Sequence, residues 1–253
     1  MRRTVWSFIV SVVAAIVAMH LWWPQTWLAF SSAPAIHQDF VYASYQFNTL
    51  KHPTGLAVLQ PQSSTIQLWI ADTGNHVIRR FSSGILSIEA GTGNPGYADG
   101  SPTQAQFDHP TGLLVLDQSY QRRTRTGTIW VQYLNIYLND AANYVVRLFC
   151  RGSRGTCSNE VRTVAGSHTK GFSDGASSSA QFATVAGIAR KPGTSDYYIC
   201  DAENHSIRKW NGTDVTTFAG GGTAGLVNGY RLSALFNCPG KVTWDNSGNM
   251  YVA

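Results

Sequence analysis

The sequence has few charged residues, and it lacks the short motifs of the common enzyme families. Asp, Glu, Lys and Arg together make up 13% of the 253 residues, whereas hydrophobic residues make up 43%. This balance excludes a solvated, disordered chain and supports a packed core. HExxH, GxSxG, P-loop and dinucleotide-binding motifs are all missing from the sequence. No catalytic motif therefore indicates an enzyme class.

Cysteine is also scarce, with four copies and no CxxC pair. A thioredoxin motif or a zinc knuckle therefore has no support. Cys150 and Cys157 bracket a short loop and are candidates for a disulfide at a hairpin tip, with two free thiols as the alternative. The net charge of +5 is modest and falls in separate clusters. We expect no nucleic-acid partner and no cofactor.

An apolar run lies near the N-terminus. Residues 5–23 contain no charged residue, and they follow Arg2 and Arg3. As a helix this run would span roughly 28 Å, close to the thickness of a hydrocarbon core. The run predicts a membrane-directed segment over residues 1–27, followed by a linker over residues 28–39.

Two interpretations of this segment remain open. It is either an uncleaved signal anchor or a signal peptide that is cleaved near the small residues Ala33-Pro34-Ala35. The first predicts a single-pass membrane protein, and the second predicts a secreted one. In both, the remainder of the chain is extracytoplasmic.

Three stretches of the chain repeat one pattern. Each contains an Asp, an Asn three residues later, then a β-branched residue, an Arg and an aromatic residue at fixed offsets. Each follows a strand start, of the Pro-x-Gly type in two copies, and precedes an Ala-Gly pair, an Asp-Gly or Asn-Gly turn and an Ala-x-Phe segment. The three stretches are residues 70–81, 138–149 and 199–210. This order predicts a unit of four strands that recurs along the chain.

These segments resemble the NHL repeat over about residues 40–253. The resemblance implies an all-β fold, a β-propeller of four-stranded blades that often has six blades and acts as a rigid binding platform. Some relatives are lyases or hydrolases with sites at the central channel. Tyr144 departs from the pattern, because the other copies have His76 and His205 there. The predicted blades cover residues 52–107, 109–182 and 185–236, with a partial blade at 238–253.

About three and a half blades would leave an incomplete ring. We therefore expect the sequence to be a truncated product or an incomplete gene model.

The recurring polar residues are predicted to be structural. The Asp residues are expected to accept backbone N–H bonds in the following turn, and the Asn residues to adopt left-handed backbone. The Arg residues are expected to pair with a carboxylate or a carbonyl within or between blades. The three sets are Asp72, Asp140 and Asp201; Asn75, Asn143 and Asn204; and Arg79, Arg147 and Arg208.

Histidines recur at two positions of the repeat. His52 and His109 occupy one position, and His76 and His205 occupy the other. Histidines that converge on a channel can bind zinc, which makes His52 and His109 weak metal candidates. Packing at turn positions is the alternative explanation.

The stretches outside the repeat pattern are the candidates for binding. Two insertions, residues 118–128 and 151–159, carry clustered basic residues that could contact an unknown protein, a glycan or another acidic ligand. A solvated loop is the alternative. The basic candidates are Arg122, Arg123, Arg125, Arg151 and Arg154. Asn204 and Asn211 lie in acceptor sequences for N-glycosylation.

Together these features predict a membrane-anchored or secreted module for binding or scaffolding. The alternative is a channel-based lyase or hydrolase that acts on small extracellular substrates.

Overall fold

The structure, a computed structural model, describes residues 49–60, 65–125, 127–131, 133–154 and 157–253. The side chains of Trp130, Ser153, Arg154 and Cys157 lie outside this description. The predicted N-terminal segment and the linker lie outside the described residues as well. In the part of the chain that the structure describes, no helix has the length and hydropathy that crossing a membrane requires.

Sheet 1 is a four-stranded antiparallel meander. Its strands are β1 (Gly55–Leu59), β2 (Gln67–Asp72), β3 (Val77–Ser82) and β4 (Ile85–Ala90), hydrogen-bonded in chain order. A short 3-10 turn, Thr73–Asn75, connects β2 to β3.

Sheet 2 repeats this plan with one insertion. It begins with β5 (Pro110–Asp117). The strands β6 (Tyr120–Thr124) and β7 (Gly127–Val131) then form a separate two-stranded hairpin. The sheet continues with β8 (Leu134–Asp140), β9 (Val145–Arg154) and β10 (Cys157–Ala165).

Sheet 3 receives an extra strand from the preceding unit. That strand, β11 (Gly175–Ala176), pairs with the outermost strand of sheet 3. The sheet itself consists of β12 (Val185–Arg190), β13 (Tyr197–Asp201), β14 (Ser206–Trp210) and β15 (Asp214–Ala219). Sheet 4 contains β16 (Val242–Trp244) and β17 (Met250–Val252). The predicted all-β class is confirmed, and each of the first three predicted units contains one four-stranded sheet.

Successive sheets pack face to face through apolar side chains. One cluster joins sheets 1 and 2 and includes Trp69, Phe107 and Phe149. A second joins sheets 2 and 3, and a third joins sheets 3 and 4. Phe107 and Phe182, from the recurring Ala-x-Phe segment, are completely buried at the first two junctions. Burial of apolar area between the sheets is therefore the main force that stacks them.

The second strands of sheets 1 and 3 are buried on both faces. All six residues of β2 and all five of β13 are buried.

The first strands of successive sheets approach one another closely at a recurring glycine. A methyl group on Gly55 would lie 1.8 Å from the carbonyl oxygen of Thr111. The same construction on Gly112 meets Ala186 O at 2.5 Å, and on Gly187 it meets Gly240 O at 2.7 Å. The glycine of the strand start is therefore required because no side chain fits there.

Candidate functional site

The first strands of all four sheets line one pocket, which we call the inner-strand pocket. Its volume is about 250 Å³. Sheets 2, 3 and 4 each contribute two consecutive residues to its wall. Sheet 1 contributes the two residues that flank Gly55. The lining residues are Thr54, Leu56, Gly112, Leu113, Gly187, Ile188, Lys241 and Val242. This convergence follows from the close approach of the first strands at the recurring glycines.

Lys241 is the charged residue of this wall. It occupies the repeat position that Gly55, Gly112 and Gly187 hold in the other sheets. Its Nζ donates a hydrogen bond to the carbonyl oxygen of Thr54, 3.0 Å away, and so connects sheet 4 to sheet 1. Burial lowers the pKa of Lys241. The pocket thus contains an ammonium donor held against a backbone oxygen.

The repeated Asp and Arg residues form the expected structural contacts. Asp140 and Asp201 are completely buried, as are Arg147 and Arg208. Arg147 Nη1 donates to Asp140 Oδ2 at 2.7 Å, and Arg208 Nη1 donates to Asp201 Oδ2 at 2.8 Å. The predicted pairing of these arginines with carboxylates is confirmed.

The backbone donors for these carboxylates come from a different place than predicted. Asp72 Oδ1 accepts from Lys51 N at 2.7 Å, and Asp140 Oδ1 accepts from Asp108 N at 2.7 Å. Both donors precede the first strand of the same sheet, whereas the prediction placed them in the turn after the Asp. A carboxylate that ends the second strand therefore fixes the entry into the first strand.

The left-handed residue of the turn was also assigned wrongly. Asn75, Asn143 and Asn204 are absent from the residues with positive φ, and the residue that follows each of them adopts that conformation instead. The values are 55° for His76, 59° for Tyr144 and 51° for His205. The asparagine side chain instead holds the carboxylate of the repeat: Asn75 Nδ2 donates to Asp72 Oδ2 at 2.8 Å.

The two metal candidates have different surroundings. His52 and His109 both have left-handed backbone, with φ of 48° and 55°. His109 lies beside His76 and Asp108, and one ligand atom from each of these three side chains lies within 4.8 Å of the others. We call these three residues the histidine cluster. His52 is not part of it.

Within the histidine cluster, Asp108 lies between two imidazoles. Asp108 Oδ1 is 2.7 Å from His109 Nδ1 and 3.5 Å from His76 Nδ1. The backbone N–H of His109 donates to His76 Nδ1 at 3.3 Å. Burial, and secondly the neighbouring His109, lower the pKa of His76. The Nδ1 atom of His76 thus acts as a hydrogen-bond acceptor.

The basic candidates divide into two groups. Arg122, Arg123 and Arg125 are exposed on the β6–β7 hairpin and its tip. Arg151 Nε donates to Glu89 Oε2 at 2.8 Å, so this side chain connects sheets 1 and 2. The side chain of Arg154 lies outside the described residues. Binding at these arginines stays a prediction.

The disulfide partner of Cys150 and the glycosylation of Asn204 and Asn211 also stay predictions. Cys150 is disulfide-bonded, whereas Cys200 and Cys238 are free thiols. The Nδ2 of Asn204, the atom that would carry a glycan, donates to Asp201 Oδ2 and to Gly171 O, both at 2.8 Å. Asn211 is exposed and uses its Oδ1 in the turn that follows.

The sequence analysis did not predict two features of these sites. Lys241 occupies a repeat position that is glycine in the other three sheets, and this exception is visible in the sequence. Asp99 and Asp174 were interpreted as turn residues alone. Each also binds the buried arginine of the next sheet, Arg147 or Arg208, at 2.7 Å.

Comparison with known proteins gives the fold alone. No protein-family model matches the chain, and no curated protein matches it. An auxiliary nutrient binding protein from Bacteroides ovatus ATCC 8483 matches with a TM-score of 0.52 and 19% identity, covering 80% of this chain and 46% of that one. Another, from Bacteroides thetaiotaomicron VPI-5482, matches with a TM-score of 0.47 and 19% identity, covering 74% and 42%. The chain spans less than half the length of these structures.

Proposed function

We propose that the chain is an extracytoplasmic binding module of the NHL-propeller type, and that the inner-strand pocket binds a small anionic ligand at Lys241. One observation carries the proposal. The first strands of four consecutive sheets meet around a single pocket, and a lysine from the fourth reaches the first.

The arrangement of the sheets supports a propeller. Sheets 1 and 2 have four strands each, sheet 3 has five with β11, and sheet 4 has two. Each sheet packs on the next, and the first strands lie side by side. Sheets that repeat around a common axis have this geometry. Residues 52–107, 109–182, 185–236 and 238–253 are then successive blades.

The size and charge of the pocket support a small anion. A volume of about 250 Å³ corresponds to about eight water molecules. It lies just below the range of about 300–1,000 Å³ that holds drug-sized ligands. Among its lining residues, Lys241 is the one with a formal charge. A ligand the size of a monosaccharide with a carboxylate matches both properties.

The comparison supports a binding role. The structure with a TM-score of 0.52 is named as an auxiliary nutrient binding protein. A role in capturing a solute outside the cytoplasm agrees with the predicted N-terminal segment. A topology reporter fused after Ala253 tests the location, because an extracytoplasmic signal is expected and a cytosolic signal would contradict it. The lyase or hydrolase alternative stays a prediction.

Ligand binding is tested with glucuronate, and with glucose as its uncharged analogue. We expect calorimetry to show binding of glucuronate and at least about tenfold weaker binding of glucose. Lys241→Met should weaken glucuronate binding at least about tenfold, because the carboxylate loses its only charged partner in the wall; tenfold corresponds to about 1.4 kcal/mol.

Lys170→Met is the matched control, since Lys170 pairs with Glu203 on the surface, away from the pocket lining. It should bind glucuronate like the unmodified chain. Equal binding by the Lys241→Met variant, or no binding of glucuronate at millimolar concentration, contradicts the proposal.

A further inference from the structure

We propose that the histidine cluster, His76, Asp108 and His109, is a binding site for a divalent transition-metal ion of the zinc type. None of the three residues lines the inner-strand pocket. The site therefore goes beyond the proposed function and does not depend on it. It lies at the junction of sheets 1 and 2, where the turn after β2 meets the residues that precede β5.

The donor set fits this class of metal. Two imidazoles and one carboxylate are ligands that Zn²⁺ and similar ions commonly take, with a water molecule in a remaining position. Calcium and magnesium prefer oxygen ligands, so they are poor matches for two imidazoles. The structure therefore points to a borderline metal ion rather than a hard one.

The spacing of the donors is close to that of a metal site. Zinc–ligand bonds of about 2.1 Å at tetrahedral angles place neighbouring donors about 3.4 Å apart. The separation of His76 Nδ1 and Asp108 Oδ1 is 3.5 Å. The 2.7 Å contact between Asp108 and His109 would lengthen by about 0.7 Å on this geometry. The His109 side chain can move that far, because it is 58% exposed.

Equivalent junctions show that the backbone does not require these side chains. At the junction of sheets 2 and 3, Tyr144 replaces His76 and keeps the left-handed conformation. The residues equivalent to Asp108 and His109 there are Ala183 and Thr184.

The junction of sheets 3 and 4 retains part of the set. It keeps His205 and has Asn237 and Cys238 in the other two places, with Cys238 N donating to His205 Nδ1 at 3.1 Å. At both junctions that have a histidine at this position, its Nδ1 accepts a backbone N–H bond. The complete set of three ligands is present at the junction of sheets 1 and 2.

Zinc binding would exchange hydrogen bonds within the cluster for bonds to the metal and would release a proton. The His109 imidazole must present a lone pair, and the Asp108 carboxylate is already an acceptor. Zinc would replace the 3.3 Å hydrogen bond from His109 N to His76 Nδ1. No redox step is involved, because zinc does not change oxidation state.

The test is titration of ZnCl₂ into the full, untagged chain after treatment with a chelator, followed by calorimetry. One equivalent of Zn²⁺ should bind per chain. His109→Asn and Asp108→Asn should each weaken zinc binding at least about tenfold. Loss of a side chain that only hydrogen-bonds to a metal ligand already typically lowers metal affinity by about that factor, and these two residues are proposed as ligands themselves. Asn tolerates left-handed backbone, and Asp108→Asn leaves the backbone bond from residue 108 to Asp140 in place.

His52→Asn is the matched control. It changes a histidine with the same repeat position and the same left-handed backbone, outside the cluster. This variant should bind Zn²⁺ like the unmodified chain. Unchanged binding in both His109→Asn and Asp108→Asn, or equal loss in His52→Asn, would overturn the proposal. Far-UV circular dichroism establishes that each variant is folded.

Discussion

Two buried arginines, Arg147 and Arg208, each connect a sheet to the loop that precedes it. Arg208 donates to Asp201 within sheet 3 and to Asp174 from the preceding loop, and its Nη atoms also donate to the carbonyl oxygens of Gln181 and Ser173. Aromatic rings of Phe172 and Phe182 lie 4.9 and 5.2 Å from its guanidinium carbon. Arg147 has the equivalent set of contacts. A buried charge is tolerated here because acceptors surround it.

Replacing Arg208 should therefore destabilise the protein strongly. Arg208→Met leaves the completely buried Asp201 without its charged partner. We expect the free energy of unfolding to fall by about 3–5 kcal/mol, measured by urea denaturation. Arg162→Met is the control, since Arg162 is exposed on β10, and it should change stability by less than about 0.5 kcal/mol. A loss below about 1 kcal/mol for Arg208→Met would show that these bonds contribute little.

Glu89 connects sheet 1 to sheet 2 through Arg151 and is one of the residues that should respond to acid. Burial alone would raise the pKa of Glu89, but hydrogen bonds from Arg151 and Arg80 outweigh it and hold the pKa below the usual value of 4.5. Because the pKa is lower in the folded state, the ionised form stabilises the protein above about pH 4.5, and this contribution is lost as pH falls through the lowered pKa.

Glu89→Gln should reduce the free energy of unfolding by about 1–3 kcal/mol at pH 7. The difference from the unmodified chain should shrink below about pH 4.5. Urea denaturation at several pH values measures it. Glu203→Gln, which removes half of a surface pair with Lys170, should show little difference at any pH. A constant difference across the pH range would contradict the role of the charge.

At the scale of single residues, the spacing of the repeat predicted which positions share a role. It predicted the pairing of the arginines but not the second partners, Asp99 and Asp174. Those partners come from a different unit, and local spacing holds no information on contacts between units. The left-handed position was assigned to Asn by general preference. The structure shows that the Asn side chain binds the Asp carboxylate, while the next residue, a histidine in two copies, has the positive φ.

Among the elements, the first strands are the most sensitive to side-chain volume. Gly112→Ala would place a methyl group 2.5 Å from Ala186 O and 2.9 Å from the side chain of Asn139. The strands must then separate, and we expect a loss of about 1–3 kcal/mol or more in the free energy of unfolding. Thermal or urea denaturation measures this loss.

Gly240→Ala is the matched control for this effect. Its nearest contact would be 3.8 Å away, and its φ is not in the left-handed region. It should be neutral within about 0.5 kcal/mol. Equal stability of the Gly112→Ala and Gly240→Ala variants would show that the first strands are not tightly apposed.

The strands themselves were predicted well, and their surroundings less well. Each unit was expected to contain four strands, and in the first repeated stretch, residues 70–81, the structure has the end of β2 and most of β3. The insertion at residues 118–128 forms a hairpin of its own, β6–β7, with exposed arginines. The burial of β2 on both faces depends on packing against other elements, which residue periodicity within one strand does not report.

In the whole molecule, repetition is what made the architecture predictable. Agreement of three segments in order indicated successive four-stranded units. The structure has two four-stranded sheets and then a sheet of four strands that the short strand β11 extends to five. The inner-strand pocket was not predictable in the same way. It arises where four sheets meet, and its chemistry depends on Lys241, a residue at which the repeat pattern is broken. The histidine cluster likewise combines residues from two units.

The repeat position that holds glycine in three sheets and Lys241 in the fourth has a practical consequence for protein engineering. In three sheets that position admits no side chain, whereas in the fourth it carries the long chain of Lys241. Saturation mutagenesis at this single codon would therefore vary the chemistry of the inner-strand pocket while leaving the stacking of the first three sheets intact. A library of nineteen variants at one site, screened against charged and neutral solutes, could retune selectivity without redesigning the scaffold.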